Sequence, residues 1–243
     1  GSHEREVRDA LERLRDANHL GYTEKQGYRI QSSAGQEWER ERSSFDATGD
    51  QVSGQIRKAF EDLFAKAERP KIDGRPLPWQ VTWHDERGTE ARLLDARGEA
   101  AAYVSVREVR IEERRPELWA RRTTEKALEN EIVWVVGDTG ALVDIAREVL
   151  RSSGMLLRYE PRQASLPRER QRLLLEERGR VEDLEARLVQ TVAQAWMSGR
   201  IYFRGRELKP GDHAPNFWGA IQVVANRVLP EVYPHFTGLA ITD

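Results

Sequence analysis

The chain has 243 residues, a third of them charged, yet its formal net charge is only −2. Balanced charge of this kind argues against a chain built as a basic clamp on nucleic acid, while 39% apolar residues, seven of them Trp, suffice for a core. The absence of cysteine excludes disulfides, thiolate metal sites and thiol nucleophiles and suits a reducing cytoplasm, and no apolar run approaches the ~20 residues that span a bilayer.

Gly1-Ser2-His3 reads as the scar of a purification tag, and no Met opens the chain, so the sequence is expected to be a piece of a larger protein. Residues 4–18 are predicted helical, with Val7, Leu11 and Leu14 as the apolar stripe. Leu20-Gly21-Tyr22 and Tyr28-Arg29-Ile30 flank a polar tip and predict a hairpin. Ser32-Ser33 then caps a second helix over residues 34–44, with Trp38 turned inward. Helix, hairpin and helix in this order resemble the last part of a winged helix-turn-helix. On that reading Arg8, Arg15, Lys25 and Arg29 would face DNA. Residues 4–45, however, hold eight Lys and Arg against nine Asp and Glu, whereas a duplex binder needs surplus positive charge to neutralise phosphates. Packing or protein contact is therefore the preferred use of this segment.

Residues 43–54 read as a linker or capped turn, and residues 55–67 as a short helix with Ile56, Phe60, Leu63 and Phe64 on one face. From Trp79 the period changes to two: Trp79, Val81 and Trp83 alternate with Gln80 and Thr82, as in a half-buried strand. Residues 90–94 are its expected return, and residues 101–109 a further strand. Residues 111–122 are ambiguous, with residues 117–128 open to a helical reading. Ile132-Val133-Trp134-Val135-Val136 is a continuous apolar run, as in a buried strand. Residues 141–151 follow as a helix that Gly154 is expected to end.

The longest element begins at Ser165-Leu166-Pro167 and runs to Trp196. Val181, Leu184, Leu188, Val192 and Ala195 recur at spacings of three and four, one stripe on an α-helix, with Arg and Glu on the other faces. Some 30 residues of helix span roughly 45 Å. Such a helix serves as a strut whose stripe, carried by Val181, Leu184, Leu188 and Val192, joins two parts of a molecule or meets a partner helix. Ile201-Tyr202-Phe203, a turn at Arg204-Gly205 and a return at Glu207-Leu208 come next, then a last helix over residues 216–228 stopped at Pro230.

No catalytic constellation declares itself. The turn at Gly137-Asp138-Thr139-Gly140 is superficially similar to a phosphate loop, but its glycines are too close and Ala141-Leu142 stands where Lys-Thr belongs. The five His lack metal-ligand spacing, so no metal is expected. The Arg clusters at Arg110, Arg114, Arg115, Arg121 and Arg122, and at Arg200, Arg204 and Arg206 beside Tyr202 and Phe203, could track a phosphate backbone. The preferred reading is that the aromatics are core and the arginines snorkel over them.

Three stretches together resemble one family. Gly27-Tyr28-Arg29-Ile30-Gln31 with Ala34-Gly35-Gln36-Glu37-Trp38-Glu39-Arg40 is similar to its winged-helix segment. Glu131-Ile132-Val133-Trp134-Val135 with the following turn and helix is similar to its buried strand. Leu156-Leu157-Arg158-Tyr159, Ser165-Leu166-Pro167 with the long Arg/Glu helix, Ile201-Tyr202-Phe203-Arg204-Gly205 and Val228-Leu229-Pro230-Glu231-Val232-Tyr233-Pro234 are similar to its tail. The family is the large P-loop ATPase of BREX-type and phage-growth-limitation defence systems, called BrxC or PglY. The resemblance implies an internal or C-terminal portion of a bacterial ATPase that works in the cytoplasm with a DNA methyltransferase and other defence subunits against phage. ATP and Mg would belong to the parent protein. No Walker pattern stands in these residues, so no ATP-binding residue carries over and this portion is expected to be non-catalytic.

The expected fold is α+β: a partial winged-helix segment (1–45), a linker and short helix (46–70), an α/β sheet domain (71–160), a long helix (161–198) and a C-terminal hairpin and helix (199–243). The expected role is a non-catalytic interaction or scaffold region that links the motor to partner subunits or double-stranded DNA, with self-association as a further option. The alternative is the DNA-binding winged-helix module of a regulator.

Overall fold

The computed structural model describes residues 2–16, 20–23, 27–30, 32–65, 68–96, 101–137 and 139–234, without the side chains of 2–4, 15–16, 20–23 and 27–30. The fold is mixed α+β. The chain gives two compact units, one from residues 1–52 with 146–185 and the other from residues 53–145 with 186–243.

The first unit opens with α1 (Ser2–Asp16) and an antiparallel hairpin of β1 (Leu20–Thr23) and β2 (Gly27–Ile30), with Leu20 opposite Ile30. In α2 (Ser33–Ser43) the Ser32 hydroxyl accepts the Gly35 N–H at 3.2 Å, the expected N-cap. Helix, hairpin and helix thus follow in the expected order, while the winged-helix assignment itself remains an expectation. The stripe of α1 departs from the sequence reading: Val7 and Leu14 are exposed, at 57% and 43%.

The stretch expected as a linker contains a helix start. At the head of α3 (Gly49–Ala65) the Thr48 hydroxyl accepts the Gln51 N–H, and the Gln51 side chain accepts the Thr48 N–H at 2.9 Å. This reciprocal box satisfies two helix-end donors at once.

The remainder of the first unit comes from α5 (Gly140–Tyr159) beyond residue 145, a 3₁₀ turn over Glu160–Ser165, and the first part of α6 (Arg168–Met197). Gly154 does not end α5, contrary to expectation. A Cβ there would lie 2.8 Å from the Phe45 ring, so this glycine admits an aromatic ring against a continuing helix instead of supplying a left-handed cap. Trp38, Met155, Tyr159 and Leu174 form the small core, with Phe45, Leu156, Leu166 and Leu173 around it. Trp38 lies 4.8 Å from Tyr159, ring centroid to centroid.

The second unit is organised on a six-stranded sheet in the order β10-β9-β8-β7-β5-β6, with a separate two-stranded ribbon of β3 (Lys71–Ile72) and β4 (Arg75–Pro76). The sheet strands are β5 (Trp79–His84), β6 (Glu90–Leu94), β7 (Ala102–Arg107), β8 (Ile132–Val135), β9 (Arg200–Phe203) and β10 (Arg206–Leu208). β5, β7 and β8 are parallel neighbours, and β6, β9 and β10 each pair antiparallel. All four residues of β8 are buried, as its unbroken apolar run predicts.

One sheet face carries Trp79, Val81, Trp83, Val104, Val106, Trp134, Ile201 and Phe203, all buried. An aromatic layer packs on it. Phe60 meets Trp196 edge-on at 4.6 Å, Trp134 meets Phe217 at 5.0 Å, and Phe64 contacts Trp79 and Phe217. The covering rings of Phe60, Phe64, Trp196 and Phe217 come from α3, α6 and α7 (Phe217–Val232). Pro230 stands inside α7, not beyond its end. So near the last turn its ring costs a single backbone bond, and Tyr233, just past the helix, fastens the segment by accepting from Ala101 N–H at 3.0 Å and donating to Ala101 C=O at 3.1 Å.

On the opposite face α4 (Pro116–Arg122) lays Trp119 against Val133, Val135 and Tyr202. The helix stops at Arg122 instead of running on toward residue 128. The Thr123 hydroxyl there donates back to the carbonyls of Trp119 and Ala120, a local bond that competes with helix continuation.

Candidate interaction surfaces and a polar sheet corner

Of the residues expected on DNA, Arg8 is exposed on α1. Lys25 and the side chains of Arg15 and Arg29 lie outside the described residues. Elsewhere in the first unit several arginines are engaged by carboxylates. Arg42, 8% exposed, donates to Glu39 and to Glu148 at 2.6 Å. Arg180 reaches Glu39 at 3.2 Å, Arg151 reaches Glu148 at 2.7 Å, and Arg178 reaches Glu160 at 2.8 Å. Tyr159 donates to Glu41 at 2.6 Å, and Arg158 pairs with the same carboxylate. Glu177, 2% exposed, accepts the Trp38 indole N–H at 2.8 Å. The carboxyls of Glu39 and Glu148 are pushed up by burial, but the guanidiniums beside them pull harder and leave both below the usual range. The same arginines that could have met phosphates therefore close the packing of α2 on α5 and α6. Among the described residues the unit's large apolar side chains at the surface are Val7 and Leu14 on α1, Leu157 on α5 at 81% exposure, and Leu175 on α6 at 64%.

Along the long helix, Leu188 and Val192 are buried in the second unit, and Val181 and Leu184 are half-buried. Leu188 and Val192 are thus covered by this chain's own residues.

The C-terminal arginine cluster is also tied up. Arg200 pairs with Glu207 across the β9–β10 hairpin at 2.9 Å, and Arg206 donates to both oxygens of Glu231 at 2.8 Å. Arg204 donates to the carbonyls of Glu129 and Glu231 and to the Asn130 side chain. Arg204 and Arg206 stack over Phe203, while Tyr202 and Phe203 are themselves buried. No base could reach either ring. Gly137, which precedes the turn read as similar to a phosphate loop, is itself closely packed, since a Cβ on it would lie 2.2 Å from the Ser198 hydroxyl. Gly137 donates its N–H to Ala195 C=O, and a Cβ on Gly199 would lie 2.1 Å from Val135 O.

A different cluster emerges on the half-covered face of the sheet. His84 on β5 stands opposite Glu90 on β6 and level with Arg107 on β7. Ser105 precedes Arg107 by two residues on the same face. Its side chain is fully buried, and its hydroxyl closes no hydrogen bond, nor does the buried Nε of Arg107. The Arg107 guanidinium lies 5.5 Å from the Trp119 ring centroid, and Arg122 lies 4.9 Å from the same ring.

Burial, reinforced by the charge of Arg107, pushes the His84 imidazole down to about 4, so it is neutral near pH 7. Burial pushes the Glu131 carboxyl up, although Arg107 and, more weakly, the Ser105 hydroxyl pull the other way. That hydroxyl stands near the carboxyl without the geometry of a hydrogen bond. Glu108, the next residue after β7, is pushed up to about 7 by burial and by the nearby charges of Glu86 and Asp85. Sequence reading missed this cluster because His84, Ser105, Arg107 and Glu131 come from separated segments with no shared motif. The alternation of β5 and β7 was the available signal, since it assigns Gln80, Thr82 and His84 to the face away from the core.

The chain matches no protein-family model, no curated protein and no solved structure. Among the described residues no helix is long and apolar enough to cross a membrane, and no three His, Asp or Glu side chains converge as a metal-ligand set.

Proposed function

We propose that this chain is a non-catalytic interaction region of a bacterial anti-phage defence ATPase of the BREX-like type, working in the cytoplasm and joining the motor to partner subunits. The observation that carries this reading is the exposed stripe of α1. Val7 and Leu14 face solvent on a helix whose other exposed side chains among the described residues are charged, Ala10 apart. Apolar residues aligned on one helix face suit a protein groove better than a phosphate backbone. The engagement of Arg42, Arg151, Arg158, Arg178 and Arg180 by carboxylates within the chain supports the same choice. In the parent protein, ATP and Mg would be held elsewhere, at the Walker motifs these residues lack.

The test is binding of the fragment to the purified subunits of a parent defence system, the DNA methyltransferase first. The expected result is saturable binding that Val7→Glu with Leu14→Glu weakens by about tenfold or more, with circular dichroism unchanged. In parallel, fluorescence anisotropy of labelled duplex at two salt concentrations addresses the regulator-module alternative. Micromolar, salt-sensitive binding that falls in Lys25→Glu with Arg29→Glu, with no subunit bound, would replace the interaction reading by the DNA-binding one.

A further inference from the structure

The corner at Trp119 brings together two cations, Arg107 and Arg122, without closed polar partners, and Ser105 stands two residues before Arg107 on the same strand. Neither guanidinium makes an ion pair or donates a hydrogen bond among the described residues. Both are half-buried, so water satisfies them incompletely. Both are drawn to one indole, where each disfavours the other; Arg122 is among the charges that pull Arg107 down, after burial. Elsewhere in this chain the buried Arg42 and the half-buried Arg151, Arg170 and Arg180 are held by carboxylates. The two at Trp119 depart from that habit.

We propose that this corner binds the phosphate group of a small phosphorylated ligand. A guanidinium fork suits two oxygens of one phosphate, and a second guanidinium can share the dianion. The neutral His84 ring beside Arg107 adds a donor without adding charge. Two carboxylates act on Arg107, those of Glu131 and Glu90. Neither closes on the guanidinium, and burial moves Glu131 toward its neutral form. Trp119 is 1% exposed and donates its indole N–H to Glu113 C=O at 2.7 Å. Its ring is therefore a fixed wall for the arginines, not a platform for a base. Recognition stops at the phosphate, which fits free phosphate or a phosphomonoester.

The experiment is calorimetric titration of the full chain with inorganic phosphate and, separately, with adenosine 5′-monophosphate, at constant ionic strength set by chloride. Saturable binding with Kd of ~1 mM or tighter is expected, accompanied by a change in tryptophan fluorescence. Arg107→Gln weakens it about tenfold or more, Arg107→Lys less, and Arg92→Gln, on the edge strand β6 and paired with Asp95, not at all. Equal affinity for the two probes identifies free phosphate as the ligand, and tighter binding of the nucleotide identifies a phosphomonoester. Should Arg107→Gln fail to fold, Arg122→Gln and the milder Arg107→Lys carry the test, each weakening binding several-fold. Non-saturable heats for both probes, or affinity unchanged in the folded variants, overturn the proposal.

Discussion

The two units solve the same problem with different materials. The second buries an aromatic layer, with Trp79, Trp134, Trp196, Phe60, Phe64 and Phe217 packed on or in one sheet face. The first has four buried side chains in its core cluster, Trp38, Met155, Tyr159 and Leu174, and adds a lattice of carboxylates and guanidiniums over α2, α5 and α6. Area removed from water does not depend on pH and depends little on salt. Ion pairs depend on both. One chain therefore carries two regions whose stabilities answer to different solution conditions.

The sharpest way to separate them is to remove one element of each kind. Trp134→Ala empties the centre of the aromatic layer and should cost about 3–5 kcal/mol. Loss of near-UV circular dichroism with little dependence on added salt is the expected signature. Arg42→Met leaves Glu39 and Glu148 without their shared partner, a loss of about 2–4 kcal/mol for groups this buried. Hydrogen exchange should locate that loss on α2 and leave the β8 amides protected. Protection lost equally on β8 would break the comparison.

Acidity sharpens it further. Glu39, Glu41 and Glu148 have folded pKa values below their unfolded ones. Their contribution is present above the unfolded value and disappears as pH falls through the lowered one, so the first unit should weaken in acid. Glu108, in the second unit, runs the other way. Its value rises from 4.5 to about 7, so the folded state binds the extra proton, and stability is lost as pH rises through that window. Glu108→Gln should therefore stabilise the chain by about 1 kcal/mol at pH 8 and by nothing at pH 4, read by urea unfolding. His84 opposes it in the wild type. Its value falls to about 4, so its contribution is complete above pH 6.5 and is lost as pH falls toward 4, the window in which Glu108 gains.

Much of this fold is legible in the residues because period and burial coincide. Trp79, Val81 and Trp83 alternate into the core, Val133 to Val136 are buried without a break, and Ser32 caps the helix it precedes. The misreadings share a cause. Gly154 and Pro230 carry meanings set by neighbours far away in sequence: the ring of Phe45 explains the first, and the Tyr233 bond to Ala101 holds the segment around the second. Punctuation rules read local backbone preference and cannot see such partners. The polar corner was illegible for the same reason, since an arginine's lack of a partner is a property of its surroundings. Charge pattern did show that the arginines of the first unit have carboxylates at hand, but not which ones would meet.

Each unit is assembled from two stretches of chain that are far apart, and this sets the order of events during synthesis. The first unit cannot close until residues 146–185 have been made, although its opening segment ends at Val52. At roughly 5–20 residues per second, the early helices wait on the order of ten seconds for the helices that cover Trp38. During that interval the emerging chain holds Trp38, and then the apolar strands of the sheet, without their final cover. A chaperone that recognises extended apolar segments would meet this protein at that stage, and slowing translation after residue 52 would lengthen the encounter.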